Sequence, residues 1–458
     1  MERGVKLDRW GYEVSTSSDS CISSINDYYY QVLTYGRNRS VILEAPLHDK
    51  DCVLANILAA HFLCSSDPCR AQLHTQAAKS HHEKATPYEK AVFDAVNYLI
   101  SEDRDDDVAV ELHSKLLREF PKDLGSLKRA QVLCFYMGRP DFSLALVQQV
   151  HFCPCNELNQ KLGRMADAEE AAKKGFQINK QDYWAQHALC HALQYECRFR
   201  EAINFMEECS PSWSSCSSFM YTHNWWHVAL CYMEGHCYIR KVLEVYDHCI
   251  WKELERSDAV CAEVYLNALG LLLRVDVRGE LGIFEDRLKI LASNLKNHEN
   301  WYIELHLDVL ILWALAKTGE LSKAGDLLEG LKSRHCRMSE KKKQIMQKGI
   351  LLAEALYEYG RGDDKRALEL LGPDFDAIDC KIIGASDEQV DVFNEVWYCM
   401  MLNTERASEA IKVIETRIKK REGLPFLWRL LERGYLMTGS PEAARAGERA
   451  RILEAAYF

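Results

Sequence analysis

Apolar positions in this chain repeat with the period of a helix face over most of its length. In four segments of the C-terminal half, apolar residues recur at spacings of three and four on both sides of a short polar turn. This period is typical of amphipathic helices, and a turn between two such runs predicts a helical hairpin. The segments are LHLDVLILWALAKTGELSKAGDLLEGL (305–331), LLAEALYEYGRGDDKRALELLG (351–372), WYCMMLNTERASEAIKVIETRI (397–418) and WRLLERGYLMTGSPEAARAGERA (428–450).

The turns of these hairpins come at regular intervals. Gly319, Gly362, Glu405 and Gly439 follow one another after 43, 43 and 34 residues. The same layout recurs around Cys197 and Gly235, and the interval from Gly235 to Gly319 leaves room for one further helix pair over roughly 258–295. A small residue follows each turn, where we expect the second helix to cross closest to the first. These residues are Ala202, Ala324, Ala367, Ala410 and Ala444.

Repeated hairpins predict an all-α fold. A single hairpin cannot bury both of its apolar faces, so neighbouring hairpins must stack into an α-solenoid. The composition agrees, because only 23 Gly and 10 Pro occur in 458 residues, which leaves few breakers of helices. We expect one continuous array over residues 1–458, without a separable linker.

Specific sequence blocks resemble known repeat proteins. Trp428, Leu431, Tyr435, Gly439 and Ala444 follow the pattern of a tetratricopeptide repeat. Over almost the whole chain, the order of blocks is similar to the tetratricopeptide repeat protein 38 family. The resemblance implies a right-handed superhelix of about nine or ten degenerate tetratricopeptide-like hairpins, and it carries over no site residues. The blocks are GYEVSTSSDSCISSINDYYYQ, LGRMADAEEAAKKG, the two histidine segments described below, GASDEQVDVF and LPFLWRLLERGYLMTG.

One segment departs from the repeat. Only 25 residues separate Gly138 from Gly163, and QVHFCPCNELNQKLGR leaves too little chain for a full first helix before MADAEEAAKKG. Residues 147–162 are therefore predicted to be a degenerate or incomplete repeat. Either this repeat has become a loop, or the sequence has lost a helix.

Two histidine pairs are the chemical feature that the repeat does not explain. His187 and His191 are four apart in WAQHALCHALQYECRFREA, with Gln194 on the same stripe, and His223 and His227 are four apart in YTHNWWHVALCYMEG. Residues four apart lie one turn apart on the same side of a helix. Both stripes fall on first helices of adjacent hairpins, which line the concave wall in tetratricopeptide stacks. A later first helix contributes His306 between Glu304 and Asp308.

Several roles are open to these histidines. As half-buried groove residues, they would orient a peptide or protein segment by hydrogen bonds. As ligands, the four imidazoles of two adjacent helices could chelate a divalent metal or transfer protons, although neither pair contains a supporting carboxylate. They could also be purely structural. We expect the first role, with a groove lined by His187, His191, Gln194, His223, His227 and His306.

The net charge, the cysteine content and the absence of known catalytic motifs limit the classes of function that the sequence supports. A net charge of −11 argues against a nucleic-acid partner. The longest apolar stretch (305–316) is interrupted by Asp308 and is too short to span a membrane. The N-terminus lacks the apolar core of a signal peptide, and we interpret the 18 cysteines as reduced thiols of a cytoplasmic protein.

No phosphate-binding or nucleophile motif occurs. We predict a non-enzymatic scaffold without cofactor or metal, with a metal-binding protein or enzyme as the alternative.

Overall fold

Helices account for nearly all of the regular structure in this chain. The computed structural model describes residues 4–150, 165–235 and 239–457. Among these residues, the strands are Lys6–Leu7 (β1) and Glu13–Val14 (β2), which pair antiparallel. The all-α prediction is therefore confirmed.

The described residues group into two compact units. Unit 1 comprises residues 4–150, 182–184 and 215–217, and unit 2 comprises the remaining described residues. The helices of unit 1 are α1 (Asp19–Leu33), α2 (Ala45–His48), α3 (Val53–Leu63), α4 (Pro68–His81), α5 (Pro87–Leu99), α6 (Asp106–Glu119), α7 (Leu124–Tyr136) and α8 (Pro140–Gln149).

Unit 2 contains the hairpins that the spacing predicted. Its helices are α9 (Met165–Ile178), α10 (Tyr183–Tyr195, from Ala185 onward), α11 (Phe199–Cys209), α12 (Ser218–Met233), α13 (Ile239–Val245), α14 (Cys261–Val277), α15 (Glu285–Leu295), α16 (Leu305–Lys317), α17 (Leu321–Cys336), α18 (Glu340–Gly360), α19 (Asp364–Leu371), α20 (Asp387–Asn403), α21 (Ala407–Lys420), α22 (Pro425–Thr438) and α23 (Glu442–Tyr457). The pair predicted over roughly 258–295 corresponds to α14 and α15.

The four hairpin turns of the C-terminal half each use one residue in the left-handed conformation. Gly319, Gly362 and Gly439 have φ values of 82°, 85° and 67°, and Glu405 adopts 62°. The next N–H then donates to the carbonyl five residues earlier, as from Glu320 to Leu315 at 2.8 Å. This is the bond of the Schellman motif, which satisfies a carbonyl at the helix end and reverses the chain. The same bond recurs from Arg139, Arg198, Glu280, Asp363, Arg406 and Ser440.

Stacking within unit 2 follows the order of a helical repeat. The first helices α12, α14, α16 and α18 pack side by side in sequence order, and α16 and α18 also contact the second helices α17 and α19. Helix α14 packs in addition against α20. First helices that lie side by side bring their facing side chains together.

Unit 1 has its own apolar core. Helix α1 packs against the 3₁₀ helix Arg39–Glu44 and against α7, while α3, α5, α6, α7 and α8 pack in succession. Tyr29 and Tyr88 are buried in this core and their hydroxyls lie 3.2 Å apart.

The small residues after the turns are buried with one shift of register. Ala202, Ala324, Ala367 and Ala410 are fully buried. In the last hairpin, Ala444 is exposed and its neighbour Ala443 is buried instead. The prediction was therefore wrong for Ala444, because one residue along a helix rotates a side chain by about 100°.

Two further predictions concern the segment 147–162 and the absence of a membrane-spanning helix. Most of the segment 147–162 lies outside the described residues, except for the end of α8 and Val150. Among the described residues, no helix is both long enough and apolar enough to cross a membrane.

Enlarging the small residue at a helix crossing should destabilise the fold. We expect Ala324→Leu to lower the free energy of unfolding by about 1–3 kcal/mol, because its fully buried Cβ leaves no room for more methylenes. Ala444→Leu is the matched control and should change stability by less than about 0.5 kcal/mol. Urea unfolding of both variants measures the difference, and equal effects would contradict the assigned crossing positions.

Candidate functional site

Four histidines of unit 2 come together from two helices. His187 and His191 lie one turn apart on α10, and His223 and His227 lie one turn apart on α12. One ring nitrogen of each histidine lies within 4.8 Å of the corresponding nitrogens of the other three. The two pairs therefore meet at one point, which we call the four-histidine cluster.

The rings of the cluster are in mutual contact. The centroid of the His191 ring lies 4.4 Å from those of both His187 and His227. The His223 ring lies 5.1 Å from His187 and 4.8 Å from His227. Nε2 of His187 and Nε2 of His191 lie 2.8 Å apart.

Every imidazole has an oxygen atom next to its Nδ1. Three of these oxygens belong to side-chain amides and the fourth to a carboxylate. The oxygens come from Asn224 for His187 (3.2 Å), Gln194 for His227 (2.6 Å), Asn267 for His223 (2.9 Å) and Glu388 for His191 (2.8 Å).

The orientation of two amides is fixed by their other hydrogen bonds. The Gln194 amide nitrogen donates to the carbonyl of His227 at 3.1 Å, and the Asn267 amide nitrogen donates to Oγ1 of Thr222 at 2.8 Å. Their oxygens therefore face the imidazoles. Since oxygens of this kind only accept, Nδ1 carries the hydrogen and Nε2 keeps its lone pair. In metalloproteins, oxygen atoms that accept from Nδ1 in this way form a shell around the histidine ligands and orient them.

Burial favours the neutral form of two of these imidazoles. It lowers the pKa of His187 and of His227 well below the usual value, and the neighbouring histidines lower both further. Nε2 of His227 has no hydrogen-bond partner among the residues that the structure describes. The neutral His227 ring, with its hydrogen on Nδ1, therefore keeps a free lone pair on Nε2.

Glu388 is the charged member of the surrounding shell. Although burial alone would raise its pKa, His191 holds the pKa of this carboxyl well below its usual range. Glu388 lies in the first turn of α20, and its backbone carbonyl accepts a hydrogen bond from Arg274 on α14. The buried guanidinium of Arg274 therefore holds the backbone of Glu388 in place.

The predicted groove residues are all buried. His187, His191, Gln194, His223 and His227 are 5%, 7%, 7%, 3% and 0% exposed. The prediction described them as half-buried on an open wall. Their side chains instead face one another across α10 and α12.

His306 lies beside the cluster and outside it. It is 2% exposed on α16, and burial, with a smaller contribution from His223, lowers its pKa to about 3. Its ring packs edge-on against Phe393 with centroids 6.4 Å apart. The neighbouring Asp308 accepts the N–H of Tyr302 at 2.9 Å.

Sequence reasoning missed three members of the shell. Asn224, Asn267 and Glu388 were not predicted, and a supporting carboxylate was thought to be lacking. One signal was present: Asn267 is a lone polar side chain in the apolar run VYLNALGLLL. Glu388 gave no such signal, because it lies in a polar helix start far along the chain.

The donor set suits a transition-metal ion. Imidazole nitrogens bind zinc, copper, iron and nickel, and zinc–nitrogen bonds of about 2.0–2.1 Å place tetrahedral ligands about 3.3 Å apart. The 2.8 Å contact between the Nε2 atoms of His187 and His191 is shorter than this, so the ligands would have to spread slightly. A search against models of known protein families found no match for this chain.

The pH dependence of stability should reveal the buried carboxyl next to His306. Burial, with smaller effects of Asp308 and Glu263, raises the pKa of Glu304 to about 8. The unfolded chain releases this proton near pH 4.5, whereas the folded chain holds it up to about pH 8. The free energy of unfolding therefore falls as the pH rises through this window.

Replacing that carboxyl should remove the effect. We expect Glu304→Gln to unfold like the wild type near pH 4.5 and to be more stable by about 2 kcal/mol at pH 9, less than the full pKa shift implies because the residue is partly exposed. Glu329→Gln, an exposed position on α17, is the control. Parallel pH curves for wild type and Glu304→Gln would contradict the raised pKa.

Proposed function

We propose that this chain is a metal-binding protein that holds one divalent transition-metal ion at the four-histidine cluster. The ligands would be the Nε2 atoms of His187, His191, His223 and His227. This proposal adopts the alternative from the sequence and replaces the expectation that no metal is bound.

One contact carries the proposal. The Nε2 atoms of His187 and His191 lie 2.8 Å apart, while the Nδ1 atoms face the oxygens of Asn224 and Glu388. Either one of these nitrogens carries a proton and donates to the other, or both direct lone pairs at a cation. The second arrangement follows where Nδ1 carries the proton of each neutral ring, and a second proton on His187 is disfavoured because burial lowers its pKa well below the usual value. A metal ion satisfies both nitrogens at once.

Four protein ligands favour a structural role for the ion over a catalytic one. A tetrahedral ion is saturated by four nitrogens, and catalytic sites usually keep one position open. The four neutral imidazoles leave the charge of the ion uncompensated, apart from the adjacent Glu388 carboxylate. The ion would join α10 to α12 directly and, through the shell, to α14 and α20.

The peptide-binding role stays a separate prediction. A groove contact needs an exposed side chain, and the six residues predicted for it are each at most 7% exposed. A peptide would have to be held by other residues. Tetratricopeptide character and membership in the protein 38 family likewise stay expectations from the sequence.

We also propose a reducing compartment, such as the cytoplasm. All fifteen cysteines among the described residues are free thiols. Buried free cysteines are typical of proteins that are kept reduced.

Metal content tests the proposal directly. We expect about one equivalent of zinc, iron, copper or nickel per chain, measured by elemental analysis of protein purified without chelator or reconstituted with each ion in turn. The double variant His191→Ala/His227→Ala should lose at least nine-tenths of this metal. His113→Gln, which changes a fully buried histidine of unit 1, is the control and should retain it. Wild type that stays free of metal after reconstitution would overturn the proposal.

The Glu388 carboxylate should strengthen the binding of the metal ion. We expect Glu388→Gln to weaken metal binding by roughly 10- to 100-fold, because the amide still accepts from His191 but loses the charge. Glu409→Gln, an exposed partner of Arg406, should bind metal like the wild type. Competition with a chelator of known affinity measures both. An unchanged affinity of Glu388→Gln for the metal ion would show that the charge of Glu388 does not contribute to metal binding.

A further inference from the structure

Unit 1 contains basic side chains whose buried nitrogens lack partners. The atoms without a hydrogen bond within the described part of the chain include Nε of Arg39, Nε of Arg129, Nδ1 of His61 and Nε2 of His113. Arg129 is 7% exposed and His113 is fully buried. Folded proteins rarely leave such groups unsatisfied, so each one calls for a physical explanation.

These side chains belong to helices that pack together. Arg129 lies on α7, which contacts α6 with His113 and α1 with Tyr28. Arg39 starts the 3₁₀ helix Arg39–Glu44, which contacts α1 and α3, and His61 is in the last turn of α3. We call Tyr28, Arg39, His61, His113 and Arg129 the Arg129 cluster.

Electrostatic interactions connect the members of the group. Burial lowers the pKa of His61 to about 3 and that of His113 to about 4, and the charge of Arg129 is the next contribution to both. Burial raises the pKa of Tyr28, while Arg129 and Arg39 oppose the rise. Both guanidinium groups therefore act on the same hydroxyl.

Arg129 has no carboxylate partner of its own. Its Nη2 donates to Oγ of Ser126 at 2.5 Å, and that hydroxyl donates to Oδ2 of Asp123. Within the described ranges, no ion pair joins Arg129 to an acid. A buried guanidinium that reaches a carboxylate only through a hydroxyl keeps much of its desolvation cost.

The two histidines do not supply the missing negative charge. Nδ1 of His113 donates to the carbonyl of Ala109 at 2.8 Å, so the neutral ring keeps a lone pair on Nε2 and carries no charge. The low pKa values keep both rings neutral near pH 7. The cluster therefore has two cations, two neutral imidazoles, one phenol and no anion.

We propose that the Arg129 cluster is a binding site for a small oxyanion, either a carboxylate or a phosphate group. The flat guanidinium of Arg129 presents several N–H donors in the geometry that pairs with two oxygens of such a group. Tyr28 and Arg39 add donors. Because His61 and Arg39 are only half-buried, this side of the cluster reaches solvent.

The site is independent of the proposed metal centre. Its residues all lie in unit 1, whereas the four histidines and their shell lie in unit 2. Either proposal can fail while the other stands.

Titration calorimetry of the full chain tests the site with two probes. Inorganic phosphate and acetate are titrated at constant ionic strength, and we expect saturable binding of one of them to a single site. Tighter binding of phosphate identifies a phosphate group as the ligand, and tighter binding of acetate identifies a carboxylate. No binding of either probe overturns the proposal.

Variants then locate the binding. Arg129→Met should weaken it at least tenfold, and the melting temperature without anion should stay equal or rise, because an unpaired buried charge is removed. Arg118→Met, an exposed partner of Glu111 on α6, should bind like the wild type.

The affinities of two variants decide whether the anion binds at this site. Wild-type affinity in Arg129→Met would place the anion elsewhere. If Arg129→Met does not fold, the half-exposed Arg39→Met decides: a loss of at least threefold supports the site, and wild-type affinity overturns it.

Discussion

The structure depends on the need of each helical hairpin to bury two apolar faces. One left-handed residue reverses the chain between paired helices, as at Gly319 and Gly362, and the Schellman bond closes the helix end. The first helices then pack side by side from α12 to α18. A polar stripe on one of these helices can meet a stripe on its neighbour, and α10 and α12 bring their histidines together in this way.

Burying four imidazoles at one point needs compensation, and the surrounding shell provides it. An uncharged polar group in the interior costs free energy unless it is hydrogen-bonded. Asn224, Asn267 and Gln194 meet this need at Nδ1 without adding charge, and Glu388 adds a single negative charge. Nε2 of His227 has no hydrogen-bond partner among the described residues. An inner nitrogen with a free lone pair is the arrangement expected where a ligand completes the site.

The sequence predicted the parts that depend on local periodicity. Turn residues, helix pairs and the i, i+4 histidines follow from the helical period of about 3.6 residues, and Glu405 was found at a turn although it is not glycine. The helical period identifies the residues that share one face of a helix, but it does not determine which distant helices that face contacts. Asn267 and Glu388 could not be assigned for this reason, and Ala444 was placed one position too far. The burial of His306 also depends on helices that only tertiary packing supplies.

The position of Glu388 in the chain has a consequence for biosynthesis. The imidazoles of α10 and α12 leave the ribosome long before α20, and α10 is also fastened from further along, since Arg421 donates to the carbonyl of Gln194 at 3.1 Å. Contacts between such remote segments form late and slowly during folding. A nascent chain thus exposes a set of bare nitrogens, open to any available cation, until its C-terminal third emerges and encloses them.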